Sequence, residues 1–76
     1  MNIIVRATVM QDKIKALLDG GVFDGFMFSF VEKKGLELTF SVSGDNIGTT
    51  DVAAIAKSAI KATDYGKGIF FSVRQI

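Results

Sequence analysis

Between Gly25 and Glu32 the chain reads FMFSFV, and no other run restricts its fold so tightly. Phe26, Phe28 and Phe30 alternate with Met27, Ser29 and Val31, which puts three rings on one side of an extended segment. Such a strand needs an apolar layer against it, and two amphipathic stretches match. Met10, Ile14, Leu17 and Leu18 recur at helical spacing and stop at Gly20-Gly21. Val52, Ile55, Ala56, Ala59, Ile60 and Thr63 form a second stripe, with Lys57 and Lys61 on its solvated flank.

Three further segments alternate. Over residues 2–9, Ile3, Val5, Ala7 and Val9 oppose Ile4, Arg6 and Thr8. Leu36, Leu38, Phe40 and Val42 oppose Glu37, Thr39 and Ser41, and Ile69, Phe71 and Val73 oppose Phe70, Ser72 and Arg74. Asp24-Gly25 makes a turn, and residues 32–35, EKKG, make another in which Gly35 takes positive φ. The stretch SGDNIGTT is a loop, with Thr49 or Thr50 capping the second helix and Asp51 favouring its positive end. The order β-α-β-β-α-β predicts one α+β domain over residues 1–76. Its plan is ferredoxin-like: a four-stranded antiparallel sheet with both helices on one face.

The other sheet face combines Ile4, Arg6, Met27, Val31, Phe70 and Arg74 with small polar residues, and reads as an oligomer interface. Composition favours assembly too. A domain of 76 residues buries only about 60% of its unfolded surface. There is no Cys for a disulfide, no His for a metal staple, and 49% of the residues are hydrophobic. A homo-oligomer is expected, with no metal or cofactor.

Other classes fit less well. The formal charge is +1 with scattered basic residues, which argues against a nucleic-acid partner. Lys67-Gly68-Ile69-Phe70-Phe71 resembles part of an RNA-recognition motif, but Ile69 and Arg74 stand where stacking rings belong, and the segment falls on the last strand. No apolar run approaches a membrane span, and the opening MNIIVRATV lacks the pattern of a signal peptide, so a cytoplasmic protein is expected. Without His or Cys the usual base and nucleophile are missing, and the carboxylates sit mainly in turns and helix starts. Glu37, alone on the sheet face, can pair with Arg6 or Arg74. No enzyme is expected.

Three stretches carry a family likeness. QDKIKALLDGG, GFMFSFV and IKATDYGKGIFF resemble, in order and spacing, the first helix, the following strand and the helix–turn–strand segment of the nitrogen-regulatory PII-like superfamily. The resemblance implies a small non-enzymatic regulatory or ligand-binding protein, a homotrimer with sheets facing a common axis. It further implies a cleft between subunits that binds a nucleotide or other anion near Gly66, Lys67 and Gly68. The family's long partner-binding loop is cut to residues 32–35 here, and the turn Gly66-Lys67-Gly68 is one residue short of the family's Gly-Asp-Gly-Lys when both glycines are matched. Two alternatives stay open: an interaction module that oligomerises through its open face without a ligand, and a dimeric amino-acid-binding domain of the ACT type.

Overall fold

The computed structural model describes residues 1–44 and 51–76. The protein is α+β. Its elements run β1 (Asn2–Ala7), α1 (Gln11–Leu18), β2 (Val22–Phe23), β3 (Phe26–Lys34), β4 (Glu37–Ser43), α2 (Val52–Lys61), a single 3₁₀ turn (Tyr65–Lys67) and β5 (Phe71–Gln75). The sheet has five strands in the order β2-β3-β4-β1-β5, every neighbouring pair antiparallel.

The expected count of four strands is therefore one short. Asp24 and Gly25 take φ of 51° and 82°, the double positive φ of a type I′ turn, and fold Val22–Phe23 back onto Phe26–Met27. The expected turn at EKKG is also corrected. Glu32, Lys33 and Lys34 continue β3, and the turn is Gly35-Leu36, with Gly35 at φ 62°. Residues 8–10 leave the sheet: Ala7 closes β1, and Met10 precedes α1 exposed and at φ 62°. The Gln11 side-chain amide donates to the Ala7 carbonyl at 2.7 Å, satisfying an acceptor at the strand end.

A bulge divides β3. Phe30 pairs with Phe40 but Glu32 with Thr39, leaving Val31 as the extra residue. Side chains alternate with period two, so this one insertion moves Glu32 and Lys34 onto the open face, away from the helices. The core side keeps Phe26 and Phe28.

One buried cluster holds the layers together. Ile3, Val5, Ala7, Phe26, Phe28, Leu38, Phe40 and Val42 come from the sheet, and Ile14, Leu18, Val52, Ala56 and Ile60 from the helices. These are the positions that both periodicities select. Asp51, rather than Thr49 or Thr50, is the cap of α2: its carboxylate accepts from the Ala54 N–H at 3.1 Å. The two threonines, with the rest of the loop over residues 45–50, lie outside the described residues. Among the described residues, no helix is long and apolar enough to cross a membrane.

Asp51→Ala removes a charge-assisted cap from a helix that supplies three buried core residues. Chemical denaturation is expected to show a loss of about 1 kcal/mol, whereas Asp51→Asn should recover most of it.

Candidate functional site

The end of α2 and the start of β5 enclose a cavity of about 470 Å³, lined by Lys57, Lys61, Gly66, Lys67, Ile69, Phe70 and Phe71. Its walls follow from local structure. Lys57 and Lys61 are four residues apart, so they share a helix face, directed outward because Ala56 and Ile60 take the buried one. The 3₁₀ turn then brings Lys67 to the same opening.

What shapes the turn is Gly66, which is buried. A Cβ at this position would lie 1.8 Å from the Ile60 carbonyl oxygen, a distance no side chain can occupy. The Thr63 hydroxyl donates to that same carbonyl at 2.5 Å and accepts from the Gly66 N–H at 3.0 Å, tying helix end to turn. Tyr65 anchors the other side: its hydroxyl donates to the Lys13 carbonyl at 3.1 Å, and the Lys13 ammonium lies 5.7 Å from its ring centroid.

These bonds bear on how an anion could be held. The Gly66 N–H is engaged by Thr63, and the Gly68 N–H donates to the Tyr65 carbonyl at 3.2 Å. Neither glycine amide is directed at the cavity as a donor, so recognition falls to the ammonium groups. Among the described residues the one ion pair is Arg74 with Glu37, at 3.3 Å on the open sheet face. None of the three cavity lysines has a carboxylate partner there. Lys57 and Lys61, read from sequence as a solvated flank, belong to this site together with Ile69 and Phe71. Their i, i+4 spacing was visible in the sequence; their convergence with Lys67 depends on the path of the turn.

The expected interface residues are dispersed. Ile4 pairs with Thr39 and Arg74, and Arg6 with Glu37 and Ser72. Met27 is 47% exposed opposite Ser43 at one end of the sheet, and Val31 is 51% exposed at the bulge. Phe70 is 95% exposed and lies before β5, at the other end. Ile4 and Met27 stand on strands separated by β4, about 10 Å apart from strand spacing alone. Thr39 and Ser41 fill the space between, so the apolar side chains of this face do not adjoin.

A second cavity, of about 340 Å³, is lined by Thr8 to Lys13 and Lys33 and mixes Asp12 with two lysines. Of these two cavities, the one at the end of α2 is lined by positive charge alone. Comparison with family models, curated proteins and solved structures finds no match for the chain.

Gly66→Ala and Gly68→Ala separate close packing from ordinary turn preference. Gly66→Ala is expected to destabilise by more than about 2 kcal/mol, because backbone must move. A Cβ on Gly68 meets its nearest neighbour only at 4.0 Å, and Gly68→Ala should be neutral or stabilising by a few tenths of a kcal/mol or more. Thermal melts of the two variants decide it.

Proposed function

We propose that this is a non-enzymatic ligand-binding protein of regulatory type that takes an anionic small molecule, a nucleotide or similar phosphate compound, in the cavity at the end of α2. The observation that carries this reading is the convergence of Lys57, Lys61 and Lys67, none of them ion-paired to a carboxylate among the described residues, beside an almost fully exposed Phe70. Ammonium groups attract phosphate oxygens, and an aromatic face can pack against a flat ring. Gly66 and Thr63 serve the site by holding Lys67 in position, while binding falls to side chains.

Two features support the wider reading. The four longer strands run β3-β4-β1-β5, with β2 added at one edge. This order, with two helices against one face, favours a ferredoxin-like layout enlarged by a hairpin. The IKATDYGKGIFF stretch that resembles PII-like proteins is the one that builds the cavity. A module that only self-associates is the competing reading, and it requires no ligand.

Binding is tested with ATP and inorganic pyrophosphate as probes. A ligand at about a hundred times its Kd adds about 2.7 kcal/mol, worth roughly ten degrees in the melting temperature of so small a domain. Each of Lys57→Ala, Lys61→Ala and Lys67→Ala should weaken binding about five- to tenfold, as expected for roughly 1 kcal/mol per exposed charge contact. Raising the salt concentration should weaken it further. A melting temperature that neither probe moves would leave the self-association reading in place.

A further inference from the structure

The two edges of the sheet are treated differently. On the β3 edge, β2 covers Phe26 and Met27, Gly20 and Gly21 bond both backbone groups of Phe28, and the Asp19 carboxylate accepts from the Phe30 N–H at 3.0 Å. That edge is closed as far as the bulge, a common protection against pairing with another chain. The β5 edge has no such cover among the described residues.

The ladder fixes which groups of β5 point outward. Ile76 donates to the Asn2 carbonyl at 3.0 Å, and in an antiparallel pair bonded residues alternate. Arg74 and Ser72 therefore bond β1 through Ile4 and Arg6, and the backbone groups of Phe71, Val73 and Gln75 face away. No hydrogen bond to them is made by the described residues.

We propose that β5 pairs antiparallel with β5 of a second copy of this chain, about a two-fold axis at Val73, joining the two sheets into one. In this register the three outward residues meet their own kind: Val73 faces Val73 of the partner subunit, and Phe71 faces Gln75 of the partner subunit. About six backbone hydrogen bonds close. Side chains are compatible as well. Ser72 stands opposite Arg74 of the partner subunit, so no like charges face each other across the seam. One step beyond the strand, Phe70 meets Ile76 of the partner subunit. These are the most exposed of the large hydrophobic residues of this segment, at 95% and 61%, and the same pairing covers both twice. No other register with this bonding parity pairs all three outward residues. The dimer rests on strand geometry and not on the ligand reading, although it sets the partner's Ile76 beside Phe70 at the rim of the lysine cavity.

Sedimentation equilibrium of the full chain without ligand is expected to give a dimer. Val73→Pro removes an outward N–H and no bond to β1, a place where an edge strand tolerates proline; it should yield a folded monomer by circular dichroism. Hydrogen exchange should show the Phe71, Val73 and Gln75 amides protected in the native protein, and the Phe71 and Gln75 amides fast in the variant. If Val73→Pro fails to fold, the double variant Phe70→Ser/Ile76→Ser decides, and a shift to monomer supports the pairing. A native monomer or trimer, or a dimer that persists in the deciding variant, overturns it. Loss of phosphate binding would leave the dimer standing, so the two readings fail separately.

Discussion

The fold depends on keeping one face of the sheet dry. Phe28 and Phe40 are fully buried at its centre, and each meets a second ring edge-on, Phe23 at 5.9 Å and Phe30 at 5.8 Å. Without disulfides, this apolar layer has to be covered by both helices at once, and the positions of Ile14, Leu18, Val52, Ala56 and Ile60 follow from that demand. The orientation of α2 then settles where its charges go. With Ala56 and Ile60 turned inward, Lys57 and Lys61 face the opening beside the last turn.

The contact between Ile60 and Gly66 converts this packing into a site. A helix that ends with an unpaired carbonyl needs a partner for it, and here Thr63 serves that carbonyl while also holding the Gly66 amide. The chain reverses within a few residues because nothing larger than hydrogen stands on Gly66. Lys67 and Phe70 reach the cavity as a result, and the stability of the turn and the geometry of the lysines are one problem.

Much of the fold was legible because the periods of two and 3.6 were clean. The buried faces of β1, β3, β4 and α2 are those that alternation and helical spacing select, and among the described residues all of the buried hydrophobic ones fall on them or on α1. The misses share a cause: they rest on single residues whose local geometry outweighs pattern. Asp24-Gly25 announced a turn, yet the two-residue strand Val22–Phe23 is too short for alternation to register. The bulge at Val31 left the run FMFSFVEKK looking uniform while reversing the faces of its second half. On the site, Gly66, Lys67 and Gly68 drew notice as a phosphate-type turn, but the amides of the two glycines are occupied internally. The side chains that converge come from α2, and no spacing rule connects Lys57 with Lys67. Nor did alternation reveal that Ile4, Met27, Val31 and Phe70 sit in separate places on the sheet, because face is readable from sequence and strand order with its register is not.

Three positive side chains and an exposed ring, positioned by a buried glycine, line the cavity proposed to take an anion on a protein of formal charge +1. The most direct test of that claim is an amide-resolved NMR titration of the full chain with ATP. The account predicts saturable shifts concentrated on Lys57, Lys61 and the segment 66–71, absent in a variant with Lys57, Lys61 and Lys67 all changed to alanine. Shifts centred on Lys13 and Lys33 at the second cavity, or no saturable shifts at all, would contradict it.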